Sequence, residues 1–369
     1  MKQSLKNSEH SLVIDNILSD AEKLREKSFY LQSLRLFKKA LQGYIDTRDQ
    51  HGILNCMHSL GDIYRMVGNF SLALKSYKDT IELAKKIKDS IRVADSRIGL
   101  ALALRAQGKW KESINLIRES RKTYQKKGDL QGIAFTLWAE AGALRIKGDA
   151  VNALNIFKES YKLFKSIKDV QGTGYCLCGL GGTSRIVGRF KDSLNYYISA
   201  NRLFSANKDK FGIAYSYCGI GNAYRMMKDY KNAFTYFSKA TRLYKKIGDR
   251  VSYSYTLWGL AMTHKMIGNY KRAGNYLVRA MLLFKKTKDP RGLIYCKLGL
   301  GEIALLNHKN NTARKYLSAS LLESINNDFA IEKCHAATIL SLMNGKINGR
   351  CYNRLGLKLR FQGLPLNIP

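Results

Sequence analysis

A basic side chain recurs every 40 residues along this chain of 369 residues, in a series that ends before Leu305. A row of cations at constant spacing could bind one acidic ligand at several points. The alternative is that each cation lies at the end of its own helix, where the helix dipole favours positive charge. Four residues further on, only Asp149 and Asp229 are acidic, so we expect most of the row to lack a partner on its own helix. We call this row the ladder; it comprises Arg25, Arg65, Arg105, Arg145, Arg185, Arg225 and Lys265.

Aromatic side chains recur at two positions that keep a fixed distance from the ladder. Ten residues before the later positions of the ladder column stand Phe135, Tyr175, Tyr215, Tyr255 and Tyr295, and seven residues before two of them stand Trp138 and Trp258. Aromatic rings interleaved with cations suit the stacked bases of a nucleic-acid strand, and equally a peptide whose side chains lie on ring faces. The alternative is that the two tryptophans belong to the core.

These columns belong to a 40-residue period that runs without insertion or deletion. A fixed period in this range is typical of a stacked repeat array. Within residues 211–250, apolar residues recur at spacings of three and four in each half, which predicts two amphipathic helices. The segments start near Ser11, His51, Ile91, Gln131, Gln171, Phe211, Val251 and Arg291, and an incomplete one starts at Ile331.

Turn and capping residues recur in the same register. Glycine at the middle of most segments suits the left-handed residue that ends a helix. Pro290 falls at the first position of a predicted helix, where a missing N–H costs nothing. The motif Gly179–Gly182 resembles a phosphate-binding loop, but its register places it within a helix. The residues predicted to cap the first helices are Asp49, Asp89, Asp129, Asp169, Asp209, Asp249 and Asp289.

Composition indicates a soluble, cytoplasmic protein with an acidic partner. The 63 lysines and arginines exceed the 28 acidic residues, for a net charge of +35, which is more than solubility requires. The seven cysteines form no CxxC pair, and they are interpreted as small buried side chains. We expect no metal, no cofactor and no secretory signal. Because acids are few and no Ser/His/Asp or carboxylate pair recurs, we expect no enzymatic activity.

The repeat resembles the tetratricopeptide repeat. The residues that carry the resemblance are Leu60, Gly61, Tyr64, Gly68, Phe70, Ala73, Leu74 and Tyr77, which recur from about Ser11 to Met343. The period of 40 rather than 34 residues is similar to that of Leu-Gly-Asn-repeat spindle adaptors, kinesin light chains and bacterial tetratricopeptide regulators. The resemblance implies an all-α, right-handed solenoid of seven to eight helix pairs. It also implies that the ladder and the aromatic columns line a concave groove.

We therefore expect four parts: an N-terminal extension (1–10), a solenoid (11–330), a capping helix (331–343) and a basic tail (344–369), which could cover the end of the solenoid, dock elsewhere or be disordered. The favoured function is that of a non-enzymatic adaptor or regulator that binds an acidic peptide or protein segment in the groove. Binding of RNA or single-stranded DNA along the same groove is the alternative, and a passive assembly scaffold is the third. Oligomeric state stays open.

Overall fold

The computed structural model describes residues 2–345, 349–359, 361 and 363–369, with side chains from residue 12 onward. The described residues form helices without strands, and each helix packs mainly on its neighbours in sequence. The all-α repeat solenoid predicted from the sequence is confirmed. The helices are α1 (Lys2–Glu26), α2 (Tyr30–Asp46), α3 (Gln50–Met66), α4 (Phe70–Lys86), α5 (Ser90–Ala106), α6 (Trp110–Lys127), α7 (Leu130–Lys147), α8 (Ala150–Ser166), α9 (Val170–Ile186), α10 (Phe190–Ala206), α11 (Lys210–Met226), α12 (Tyr230–Ile247), α13 (Arg250–Met266), α14 (Tyr270–Thr287), α15 (Pro290–Leu306), α16 (Asn310–Asn326), α17 (Ala330–Leu342) and α18 (Arg350–Arg354).

The repeat-end aspartates cap the first helix of each following pair, as predicted. Each carboxylate accepts a hydrogen bond from one or two backbone N–H groups at the start of α3, α5, α7, α9, α11, α13 or α15. Such a cap stabilises a helix by about 1 kcal/mol. Pro290 occupies the first turn of α15, also as predicted.

Small residues let the aromatic core side chains approach the first helices. A Cβ at Gly61 would lie 2.7 Å from the ring of Tyr77, and one at Gly179 would lie 2.4 Å from Phe157. Both distances are below van der Waals contact, so a larger residue would force the ring away. Gly179–Gly182 lies inside α9, which confirms that this motif is a packing feature and not a phosphate loop.

The solenoid winds tightly enough for its successive turns to touch. The Trp110 indole N–H donates to the carbonyl of Asn327, 217 residues later, which is a little more than five repeats. Beside it, Lys111 Nζ lies 2.6 Å from a carboxylate oxygen of Asp328. A Cβ at Gly68 would lie 2.8 Å from Thr287. The first superhelical turn therefore packs on the second, and the concave side is enclosed.

The capping aspartates of the later repeats are the most buried, because the early repeats pack over them. Asp249 and Asp289 retain 3% and 4% of their exposure because the early repeats cover that edge of the solenoid. Burial raises the pKa of Asp249 to about 6. Asp129, in the same column but on the uncovered edge, is only partly buried.

The capping helix and the tail are also packed on the solenoid. Backbone helix α1 begins at Lys2, within the predicted N-terminal extension. The predicted capping helix corresponds to α17, whose residue Ile331 shares a buried cluster with Tyr352 and Leu357 of the tail. A Cβ at Gly188 would lie 2.6 Å from the carbonyl oxygen of Lys358, so the tail docks on the solenoid. Arg360 of the predicted basic tail lies outside the described residues.

Two cysteines correct the sequence interpretation. Cys334 of α17 and Cys351 of α18 form a disulfide, while Cys56, Cys176, Cys178, Cys218 and Cys296 are free. Four of the five free thiols are buried, and the fifth, Cys218, is half-buried; this is consistent with the predicted packing role. The bonded pair lies at and beyond the end of the regular repeats, where comparison of columns cannot show which residues meet. The disulfide ties the start of the tail to the solenoid.

Candidate functional site

Each ladder residue lies in the last turn of a first helix, from Arg25 in α1 to Lys265 in α13. The structure divides the row into three parts that differ in their surroundings. Arg25 and Arg65 form the first part, which faces a central cavity. Arg105, Arg145 and Arg185 form the middle part, which has no carboxylate partner among the described residues, although Arg105 also lines the cavity. The last part, Arg225 and Lys265, contacts the tail. The three parts differ because different side chains from neighbouring repeats and from the tail surround each of them.

The central cavity has a volume of about 800 Å³ and is lined mainly by the first helices of seven repeats. Arg25, Arg65 and Arg105 are its cations. Its carboxylates outnumber them, because the capping residues of later first helices face these cations across the superhelical turn. The carboxylates are Glu26, Asp62, Asp95, Asp129, Asp169, Asp209 and Asp249.

The excess positive charge of the chain lies elsewhere. Lysines crowd the last turns of the second helices, as at Lys85, Lys126, Lys165 and Lys245, and these side chains are exposed. The net charge of +35 is therefore not concentrated in this cavity, since most of its charged lining is acidic.

Aromatic side chains form one wall of the cavity. Phe135 stacks on Trp138 with ring centroids 5.4 Å apart, and Trp138 meets Tyr175 edge-on at 6.5 Å. Tyr175 is followed by Phe211, which stacks on Tyr215 at 6.1 Å. Four of these five rings belong to the predicted columns. Phe211 does not, and sequence reasoning missed it because it is the first residue of its repeat.

The remaining predicted aromatics are placed in the core of the later repeats. Trp258 and Tyr295 retain 4% and 5% of their exposure, and their ring centroids are 5.0 Å apart. Tyr255 donates a hydrogen bond to the capping carboxylate of Asp289 at 2.9 Å. These three rings do not line the central cavity, although Trp258 contacts the ladder through Arg225, whose guanidinium lies 5.4 Å from its ring.

The first two ladder cations have acidic partners on their own helices. Arg25 forms a salt bridge with Glu22 at 2.6 Å, and Arg65 forms one with Asp62 at 3.3 Å. Both acids stand three residues before their cation. Asp149 and Asp229, four residues after Arg145 and Arg225, instead interact near the start of the next helix. The predicted i+4 partners are therefore not used.

The position three residues before each ladder cation forms a second column, which we call the counter-charge column. A ladder side chain can reach the member of its own repeat and that of the next; Arg25, for example, is close to both Glu22 and Asp62, and Lys265 pairs with Glu302 of the next repeat. Its members are acidic at both ends and uncharged in the middle. They are Glu22, Asp62, Leu102, Gly142, Gly182, Asn222, Met262 and Glu302.

Arg105, Arg145 and Arg185 consequently have no carboxylate partner among the described residues. Guanidinium Nη1 of Arg105 would lie 2.2 Å from a Cβ at Gly142, and that of Arg145 would lie 2.6 Å from one at Gly182. The two glycines therefore make room for the cations without neutralising them.

The unneutralised charge affects the titration of the middle part of the ladder. Burial, together with the charge of Arg145, lowers the pKa of Arg105 to about 10. Burial also lowers the pKa of Arg185. In addition, Nε of Arg145 and both Nε and Nη1 of Arg185 are buried with no hydrogen-bond acceptor among the described residues. An anion placed here would satisfy these donors and relieve the repulsion between neighbouring cations.

The last part of the ladder is occupied by residues of the tail. Arg225 and Lys265 are fully buried, and both bond the segment Leu364–Pro369. Lys265 also forms an ion pair with Glu302 of the next repeat. The counter-charge column could have identified Glu302 from the sequence, whereas no periodic signal marks the tail.

The chain folds as an α-solenoid whose first helices line an internal channel. A family model described as tetratricopeptide repeat matches residues 21–86 and 212–286, and a second model with the same description matches residues 93–127. The chain is a tetratricopeptide-repeat protein. No curated protein matches its sequence.

Three solved structures resemble the chain in fold. The Rap conjugation gene regulator of plasmid pLS20, in complex with the Phr* peptide, is 12% identical with a TM-score of 0.65, over 85% of this chain and 96% of that one. A Rap protein complexed with competence and sporulation factor is 13% identical with a TM-score of 0.61, over 86% and 99%. NprR in complex with its cognate peptide NprX is 15% identical with a TM-score of 0.56, over 90% and 98%.

The described residues contain no helix long and apolar enough to cross a membrane. Within the same residues, no group of three histidine, cysteine or acidic side chains could hold a metal ion.

Proposed function

We propose that this protein is a regulator or adaptor that binds an extended peptide segment of a partner inside the solenoid, with acidic side chains of the peptide at Arg105, Arg145 and Arg185. The observation that carries the proposal is the absence of acids from the middle of the counter-charge column. Arg105, Arg145 and Arg185 share this environment, and the buried guanidinium nitrogens of Arg145 and Arg185 that lack acceptors among the described residues are costly. A carboxylate of a ligand would supply the negative charge that the counter-charge column lacks at these positions.

The spacing of the ladder suits a peptide in extended conformation. Packed helices lie about 8–10 Å apart, and an extended peptide advances ~3.3 Å per residue. One cation therefore meets about every third residue of the ligand. Two of the similar solved structures contain a peptide, which supports a peptide as the ligand class. The aromatic wall beside Arg105, whose guanidinium lies 5.4 Å from the Trp138 ring, offers apolar contact to neighbouring side chains.

The composition of the cavity disfavours the nucleic-acid alternative. A phosphate backbone carries a negative charge at every nucleotide, and seven carboxylates line the space next to Arg105. A peptide can present acids to the middle of the ladder and uncharged residues to the cavity. The expectations of cytoplasmic location and of no enzymatic activity stay predictions.

The proposal is tested by selecting ligands for the purified chain from a random-peptide library displayed on phage, and then measuring the affinities of the selected peptides by fluorescence anisotropy. We expect selected peptides to carry acidic residues about three positions apart. Arg145→Gln and Arg185→Gln should each weaken binding tenfold or more, because a hydrogen bond to a charged group contributes about 1.5–3 kcal/mol. Lys165→Gln, at an exposed position of α8, is the matched control and should leave affinity unchanged.

Selected peptides without acids, or affinities equal in wild type and both arginine variants, would contradict the proposal. A salt series with a random single-stranded RNA addresses the alternative. Nucleic-acid binding predicts a steep linear loss of log affinity with log salt concentration, reduced when Arg105, Arg145 and Arg185 are changed together to Ala. If neither peptide nor RNA binds, the passive scaffold is favoured.

A further inference from the structure

The segment Leu364–Pro369 lies inside the solenoid, across first helices α13 and α11. Lys265 Nζ donates to the carbonyl oxygen of Leu366 at 2.8 Å, and Glu302 accepts from the Leu366 N–H. Nη2 of Arg225 donates to the carbonyl oxygen of Ile368 at 3.0 Å. Ladder cations thus bind this segment through its main chain, which is the part common to every peptide.

One polar side chain adds specificity to these contacts. Asn367 accepts a hydrogen bond from Nη1 of Arg225, and its Nδ2 donates to the Arg225 carbonyl oxygen at 3.0 Å. Asn222, of the counter-charge column, accepts from the same guanidinium at 3.2 Å. An aspartate in the place of Asn367 would lack the Nδ2 donor. Asn367 therefore pairs with both a donor and an acceptor of Arg225, and an aspartate could make only the first of these two hydrogen bonds.

Two alternate side chains of the segment are buried against aromatic rings. Leu366 and Ile368 each retain 1% of their exposure, and they belong to the same apolar cluster as Trp258 and Tyr295. Residues at positions i and i+2 of an extended chain point to the same side, so both reach this cluster while Asn367 reaches Arg225. Burial of two such side chains stabilises the docked segment, since apolar area leaves water.

The direction of the segment relates it to the proposed ligand. The chain passes from Lys265 to Arg225, and the next ladder cation along that path is Arg185, which has no carboxylate partner among the described residues. The two ends of the ladder therefore differ. Arg225 and Lys265 bind a segment of this chain, whereas Arg105, Arg145 and Arg185 have no carboxylate partner among the described residues. A ligand that followed the ladder beyond Arg185 would meet the tail.

We propose that Arg225, Lys265, Glu302 and Asn222 form a second peptide subsite, specific for an extended segment with two alternate apolar side chains flanking an asparagine, and that Leu364–Pro369 is its resident ligand and competes with any partner peptide that extends past Arg185. The competition rests on the proposed function; the subsite does not. The tail is anchored by the Cys334–Cys351 disulfide, and a short tether gives an effective concentration in the millimolar range. A free peptide therefore enters this subsite only when the tail is weakened.

The probe is a labelled synthetic peptide of residues 363–369, with sequence GLPLNIP, titrated by fluorescence anisotropy into three full-length proteins. Wild type should bind it at least tenfold more weakly than the tail variant Leu366→Asp/Ile368→Asp, because the resident segment occupies the subsite in wild type. Adding Arg225→Gln to the tail variant should reduce binding at least tenfold. Thermal unfolding by circular dichroism, with hydrogen exchange of α11 and α13, establishes that each variant is folded.

Equal binding to wild type and the tail variant, or no binding to a folded tail variant, would overturn the subsite. Acidic peptides selected as described above separate the two proposals. If they bind the tail variant and wild type with equal affinity, the competition is refuted while the proposed function stands. If GLPLNIP binds the tail variant through Arg225 but no acidic peptide binds any variant, the proposed function fails and the subsite stands.

Discussion

The buried ion pair between Lys265 and Glu302 offers a quantitative test of the site. The side chains retain 0% and 1% of their exposure, and both also bond the main chain of Leu366. Burial lowers the pKa of Lys265, and the neighbouring Glu302 carboxylate opposes that shift. Removing either partner leaves the other charge buried, which costs about 3–5 kcal/mol. We therefore expect Lys265→Met and Glu302→Met each to lower the free energy of unfolding by that amount.

The double variant Lys265→Met/Glu302→Met removes both charges. Replacing a complete buried pair by apolar side chains is often neutral or stabilising, so the double variant should lose no more than one single variant. This corresponds to a coupling energy of about 3 kcal/mol or more between the two sites. Urea unfolding followed by circular dichroism gives the three values. Hydrogen exchange of α13 and α15 checks that the loss is local, because repeats interact mainly with their neighbours.

The matched control is the pair Lys111–Asp328, which is as close, at 2.6 Å, but retains 68% and 57% of its exposure. An exposed pair contributes about 0–1 kcal/mol, and the same cycle with Met should therefore give a small coupling. If the losses in unfolding free energy from the two single variants simply add, so that the coupling is no larger than in the control, Lys265 and Glu302 do not form a buried ion pair. The description of the tail bound at Lys265 would then also be wrong.

Two further predictions concern packing and titration. Gly188→Ala should weaken tail docking, seen as faster hydrogen exchange near Lys358, because its Cβ would meet that carbonyl oxygen at 2.6 Å; Gly268→Ala, with a similar positive φ and no atom within 4 Å, carries only the backbone cost of about 1–2 kcal/mol. Equal exchange in both variants would contradict the docking. The raised pKa of Asp249, about 6, means that the folded state binds the proton more tightly, so this group stabilises the fold below pH 4 and its contribution is lost as pH rises through 6. Asp249→Asn should therefore flatten the fall in unfolding free energy between pH 4 and 8 by about 3 kcal/mol; calorimetry across pH measures the change, and an unaltered fall would contradict the prediction.

Much of the fold follows from local signals that recur in every repeat. Helix periodicity, the capping aspartates and the small residues at close approaches each depend on neighbours within about one repeat. Comparison of the copies therefore identifies them, as it does the glycines of α9. The same comparison identifies the ladder as a recurring basic column, and the resemblance to tetratricopeptide repeats predicts that Arg105 and Trp138 lie on the concave side, where both line the central cavity.

The candidate site was only partly predictable from the sequence, because its charge balance depends on both the ladder and the counter-charge column. Ladder cations alone suggested a uniformly positive groove. The acids at Glu22, Asp62 and Glu302 show that the positive character is confined to the middle repeats. That signal is present in the sequence, although it becomes interpretable only once Arg25 and Lys265 are seen to contact the same column in adjacent repeats.

The sequence by itself determined the repeat, the helices, their caps and the position of the ladder, because these are set by contacts between residues close in the chain. The tertiary structure decided that the superhelix closes on itself, that Asp249 faces Arg65 across the turn, and that the tail fills the end of the ladder. Closure is the sum of small rotations between successive repeats, and no single repeat encodes the total. The non-periodic tail has no second copy with which to be compared, so its place beside Arg225 is visible only in the folded chain.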